Sequence, residues 1–191
     1  MKFDLWWLYQ RAKLFSLLRR PDMAVDDLQA ALRIDPAFVR AAASLGFLYG
    51  TLGRHRLAIE QFQNVLKARP DDSVILFNLG YVHHLLKEYE PAIDAFKRAL
   101  HINRRIDRAW YGLGLALTSV GRHEEAAQAF EQAAELQPMN GYAWYELGMA
   151  YHTLNRRTKL DEVIAHLDRF DPKLTQHLVR ATQKPASAQT E

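Results

Sequence analysis

A period of about 34 residues runs through this chain and leaves few folds open to it. Gly114 recurs as Gly80 and Gly46 in one direction and as Gly148 in the other. Ala126 is matched by Ala92, Ala58 and Ala24, Phe130 by Phe96, Phe62 and Leu28, and Pro138 by Pro70, Pro36 and Pro172. Because these registers keep step, the chain repeats one structural unit. A unit of this size cannot bury its apolar face alone and must stack on its neighbours.

Each unit reads as two helices, since apolar residues recur at three- and four-residue spacing with turn residues between the two runs. In the second unit Ala42, Leu45, Gly46 and Tyr49 form one stripe, Gly53 breaks the helix, and Ala58, Phe62 and Val65 form the next stripe. The small residues Gly46 and Ala58 allow the two backbones to approach, and the bulky Tyr49 and Phe62 fill the remaining space. Pro70 then closes the unit because its ring cannot continue the preceding helix.

The pattern resembles the tetratricopeptide repeat. Five units, roughly 5–38, 39–72, 73–106, 107–140 and 141–174, extend the resemblance over nearly the whole chain. It implies an all-α fold: a single right-handed superhelical solenoid over 1–182, with the first helix of each pair lining a concave groove. It also implies binding rather than catalysis. Three departures are visible. Arg11 stands where the other units have Leu45, Leu79, Leu113 and Leu147, as expected of a helix with no preceding repeat to bury that side chain. Arg104 replaces the closing proline of the third unit, which predicts a smoother junction there. Leu160 replaces the small alanine of the fifth unit, which predicts looser packing of its second helix. Beyond Pro172, the stripe Leu174, Leu178 and Val179 predicts a capping helix over 172–182, and 183–191 reads as a disordered tail.

The hydrophobic content of 49% and charged content of 25% are ordinary for a folded chain. Without cysteine there is no disulfide framework and no thiolate metal site. The apolar run near the start is short, is closed by Gln10 and Arg11, and lacks a small-residue cleavage site. No run approaches the roughly 20 apolar residues of a membrane-spanning helix, and the cytoplasm is the expected location. The eight histidines do not form a metal-ligand spacing, and no glycine-rich phosphate loop occurs. No enzymatic activity, cofactor or metal is therefore expected.

Opposite the packing stripe, each first helix has a second face that an ordinary soluble helix would make polar. Here it carries Trp6, Tyr9 and Lys13, then Arg40, Ala43 and Phe47. It continues with Val74, Phe77, Tyr81 and His84, then Arg108, Tyr111 and Leu115, and finally Tyr142, Tyr145, Met149 and His152. By resemblance these positions line the groove. The expected site consists of Phe47, Phe77, Tyr81, Tyr111, Tyr142 and Tyr145 as apolar walls, with Arg40, Asn78 and Arg108 as polar pins. Some tetratricopeptide domains hold chaperone-tail carboxylates in a clamp of Lys, Asn and Arg. Only Asn78 and Arg108 match it here, and Ala43, Phe47 and Gly112 occupy other required places. An apolar or aromatic-bearing peptide or helix of another protein is the better-matched partner.

Two other surfaces compete. The hairpin turns carry Arg19-Arg20, Arg54-His55-Arg56, Lys87, Arg122-His123 and Arg156-Arg157, a basic edge that helix C-termini favour in any case. The net charge of +3 is small for nucleic-acid binding, and no motif supports it. The first helix shows Phe3, Trp7 and Leu14 on the flank that later units press against a predecessor, with Trp6 nearby. Such a cluster predicts either pairing of two copies or contact with a membrane surface. A scaffold or assembly factor is the first reading, and a peripheral membrane adaptor held by this helix and the basic edge is the alternative.

Overall fold

A computed structural model describes residues 2–183 and, among them, eleven helices and no strand. They are α1 (Lys2–Leu17), α2 (Pro21–Ile34), α3 (Val39–Thr51), α4 (His55–Ala68), α5 (Ser73–Leu85), α6 (Tyr89–Ile102), α7 (Asp107–Ser119), α8 (His123–Leu136), α9 (Gly141–Thr153), α10 (Arg157–Asp168) and α11 (Pro172–Gln183). The fold is all-α, and the expected helix pairs are α1/α2, α3/α4, α5/α6, α7/α8 and α9/α10. Residues up to Ile102 form one compact unit and those from Asn103 onward a second. In the first, each hairpin packs internally, α2 meets α3, and α4 meets α5. In the second, α8 meets α9, and α11 lies against both α9 and α10.

The repeated glycines and phenylalanines explain how each hairpin closes. A Cβ at Gly46 would come within 2.6 Å of the Phe62 ring, at Gly80 within 2.8 Å of Phe96, and at Gly114 within 2.5 Å of Phe130. No larger residue fits without moving a ring. Phe62, Phe96 and Phe130 are fully buried, as are Ala24, Ala58, Ala92 and Ala126. Each such ring removed from water stabilises the hairpin by about 1.5–3 kcal/mol.

All five hairpin turns are built alike. Arg19, Gly53, Lys87, Gly121 and Asn155 stand one repeat apart, and every one has a positive φ, between 55° and 77°. The next backbone N–H in each case donates to a carbonyl five residues earlier: Arg20 to Phe15, Arg54 to Tyr49, Glu88 to His83, Arg122 to Leu117 and Arg156 to Tyr151. This is the Schellman closure, which favours glycine at the left-handed position. Glycine occupies only two of the five, so the hydrogen-bond pattern holds even where a side chain opposes it.

Three of the departures have structural outcomes. Residues 103–106 form a non-helical connector of the same length as 35–38, 69–72 and 137–140, so Arg104 does not produce the smoother junction expected of it. The carbonyl that matters there belongs to any residue type: the Trp110 indole N–H donates to the Arg104 oxygen at 2.8 Å, as the Trp144 indole does to Pro138 at 2.9 Å. In the fifth hairpin Leu160 is buried, and α10 offers the half-buried Ile164 where the second, third and fourth units have phenylalanine. Leu178 of α11 comes to Gly148 instead, with its Cδ2 within 2.6 Å of where a Cβ would stand. The last helix thus supplies the filler that its own repeat lacks. It starts where the Asp171 carboxylate accepts from the Leu174 N–H, and it extends to Gln183, one residue into the expected tail. Residues 184–191 lie outside the described residues.

Arg11 is not simply a surface substitute for leucine. Its guanidinium donates to both carboxylate oxygens of Asp27, at 2.7 and 2.6 Å, and Asp27 is only 5% exposed. That carboxylate raises the Arg11 pKa further above its ordinary value, chiefly through the hydrogen bond. A forked charged pair closes the first hairpin where the third and fourth use Leu79 with Ala95 and Leu113 with Ala129.

Candidate functional site

The ring-bearing face of the first helices keeps its rings at the surface to different degrees. In the first unit Phe47 is 40% exposed and Tyr81 51%, while Phe77 is half-buried. In the second unit Tyr142 is 69% exposed, and Tyr111 and Tyr145 are half-buried. Ring contacts account for part of the difference. Phe47 stands edge-on to Phe62 with centroids 5.5 Å apart, Phe77 lies 6.1 Å from Phe96, and Tyr111 lies 5.9 Å from Phe130. The buried phenylalanine that fills the second, third and fourth hairpins therefore also supports one ring of this face from beneath. Tyr81 and Tyr142 have no such support among the described ring pairs and stand further into solvent.

The expected polar pins divide. Arg40 and Arg108 are exposed. The Asn78 amide is turned back into its own helix and donates to the Val74 carbonyl at 2.5 Å, leaving its side-chain oxygen as the group free to accept. Within the first unit, Phe47 and Lys13 border a cleft of about 390 Å³ whose floor includes Ala12, Leu28 and Leu48. Its lining is mostly apolar, with the hydroxyls of Ser16, Ser44 and Thr51 and one cation, Lys13.

In the second unit the face carries a residue absent from the expected site. Glu146 on α9 is half-buried, and burial raises its carboxyl above the ordinary carboxylate range. The Tyr111 phenol is also raised, first by burial and then by the Glu146 carboxylate and Tyr142. The register was readable: the same position holds Gln10, Ser44, Asn78 and Gly112 in the other units, and only the fifth makes it charged.

The remaining polar groups serve packing. The Gln29 amide donates to the Tyr49 hydroxyl at 2.7 Å, and three repeats later the Tyr151 hydroxyl donates to Glu131 from the equivalent position. Burial, then that carboxylate, pushes the Tyr151 phenol well above its usual range. His83 occupies the same register and pairs with Glu88 at 2.7 Å. That contact, with Arg56 behind it, holds the Glu88 carboxyl below its ordinary value. His84 is lowered by burial. Among the described residues no three of His, Cys, Asp and Glu come together in a way that would hold a metal.

The basic turn edge is partly neutralised. Arg54 pairs with Asp22 at 3.6 Å, Arg56 with Glu88 at 2.5 Å and Arg156 with Glu124 at 2.8 Å, each linking consecutive repeats. Arg122 forms a forked pair with Glu125. On α1, by contrast, Phe3, Trp6, Trp7 and Leu14 are all exposed, and Leu17 and Leu18 extend the apolar surface beyond them. Among the described residues no helix is long and apolar enough to cross a membrane.

Family models described as tetratricopeptide repeat match residues 8–38, 44–107 and 107–140. No curated protein matches the chain. Among solved structures, a crystal structure of MamA protein is 24% identical, with a TM-score of 0.86 over 93% of this chain and 97% of that one. YrrB, described as a TPR protein with an unusual peptide-binding site, is 23% identical, with a TM-score of 0.80 over 91% and 90% of the two chains. MamA from Desulfovibrio magneticus RS-1, residues 41 to the end, is 20% identical, with a TM-score of 0.79 over 95% and 98%. At these identities the likeness concerns the fold.

Proposed function

The chain belongs to the tetratricopeptide repeat family, and from that membership we propose that it works by binding, as a protein-interaction scaffold or assembly factor. The ligand is an apolar or aromatic-bearing segment of another protein, extended or helical. It docks on the ring-lined face of α3 and α5 in the first unit or on that of α7 and α9 in the second. Phe47, Phe77, Tyr81, Tyr111, Tyr142 and Tyr145 form the walls, and Arg40, Asn78 and Arg108 orient the ligand.

The observation that carries this reading is the exposure of Tyr81 and Tyr142 beside rings held half-buried on fixed supports. Rings on a rigid helix lose little entropy when covered, and each contributes on the order of 1–3 kcal/mol on burial. Three or four of them suffice for a micromolar complex after the cost of association. The peptide-binding site named for YrrB adds a precedent on the same fold.

Selection from a random-peptide display library on the immobilised chain tests this. Selected peptides are expected to be rich in apolar and aromatic residues and to lose about tenfold or more in affinity for the Tyr81→Ala/Tyr111→Ala variant. Equal affinity for that variant would remove these faces from the proposed site.

The exposed cluster on α1 supports a second reading, in which Phe3, Trp6, Trp7 and Leu14 pair two copies of the chain or rest on a membrane surface. Sedimentation of the chain alone reads the first possibility, and flotation with anionic liposomes reads the second. The ion pairs of the turn edge leave fewer cations for lipid than the sequence suggests, which favours pairing.

A further inference from the structure

Glu146 is the one carboxylate in its register, and nothing among the described residues neutralises it: it has neither a hydrogen bond nor an ion pair. It lies one turn after Tyr142 and next to Tyr145 on α9, one turn before Met149, at the edge of the buried face and not within it. Tyr111 of α7 packs against the buried cluster of Ala133, Ala134 and Ala143, the last of which lies one turn before Glu146 on α9. Arg108, one turn before Tyr111, is exposed and forms no ion pair with it. A carboxylate drawn partly out of water without a cation is unfavourable in the free protein. The same arrangement favours a complex in which the cation arrives with the ligand, because aromatic faces and a carboxylate both attract positive charge.

Resting on the groove reading, we propose that the second unit selects a partner segment carrying an arginine or lysine beside its apolar residues, and that this cationic side chain docks against Glu146 between the rings of Tyr111 and Tyr142. Charge complementarity sets the occupant: an anionic group would meet Glu146 unfavourably, and a purely apolar segment would bury the carboxylate further without a counter-charge.

The test uses the full chain and two blocked dipeptides as probes, N-acetyl-Trp-Arg-amide and its neutral isostere N-acetyl-Trp-citrulline-amide, followed by amide chemical shifts in NMR titrations. Both are expected to shift α7 and α9 resonances around Tyr111 and Tyr142, with the arginine probe binding about fivefold more tightly. In Glu146→Gln that preference is expected to fall to about one while citrulline binding is unchanged. The variant removes a charge that the fold disfavours, so its melting temperature should be no lower than the parent's. Equal binding of both probes to the parent, or a preference that survives Glu146→Gln, would overturn the cation assignment while leaving the ring-lined face intact. No shift from either probe would overturn both.

Discussion

The two ends of the chain face the same physical problem and solve it differently. The last repeat lacks a phenylalanine on its second helix, and the chain continues into α11, whose Leu178 is fully buried against Gly148. The first helix has no earlier segment among the described residues to cover its outer flank. It closes its own hairpin with the Arg11–Asp27 fork and leaves Phe3, Trp7, Leu14 and Leu17 in solvent. A repeat end can therefore be finished by borrowed apolar volume or by charge placed within the hairpin. Only the first of these also covers the exposed flank.

Four variants measure that difference. The largest effect is expected for Leu178→Ala, which opens a cavity beside Gly148 and should cost about 2–5 kcal/mol in urea unfolding. A cost below about 1 kcal/mol would mean that α11 is an accessory to the fifth repeat rather than part of its core. Arg11→Ala should cost about 1–3 kcal/mol, because Asp27 is left buried without its partner. The sharper version replaces both, Arg11→Leu with Asp27→Ala, which installs the pair used by the third and fourth hairpins. It should recover most of the loss, and failure to recover would show that the fork does more than replace apolar packing. The smallest effect is expected for Trp7→Ser, within about 0.5 kcal/mol of the parent by the same measurement, because the ring already lies in solvent. A larger loss would place Trp7 in a contact that stabilises the folded chain, as a second copy would.

Much of the fold was legible because a hairpin of this kind depends on a few steric coincidences that recur. Gly46, Gly80 and Gly114 must be small because Phe62, Phe96 and Phe130 occupy their Cβ space, and both members of each pair are visible in one register. The turns were less legible. Gly53 and Gly121 announce a left-handed residue, but Arg19, Lys87 and Asn155 adopt the same conformation with side chains that disfavour it, held by the hydrogen bond that follows. Asp27 was missed because a carboxylate in an apolar stripe reads as an irregularity until Arg11 is seen to be the irregularity opposite it. For the candidate site, periodicity gave the face but not the depth of each ring. A buried phenylalanine lies beneath Phe47, Phe77 and Tyr111, but Phe47 is still exposed and Tyr145 is half-buried without one, so depth is set by the whole surroundings of each ring. Asn78 could not be read as spent on Val74 from spacing alone, since its rotamer decides.

The four tryptophans are unevenly placed, with Trp6 and Trp7 exposed on α1 and Trp110 and Trp144 half-buried with their indoles bonded to connector carbonyls. The first pair meets water both before and after denaturation, so its fluorescence changes little as the first unit melts. Intrinsic emission from the intact protein is consequently a reporter of the second unit, and a denaturation curve followed by that signal alone would overlook half of the array.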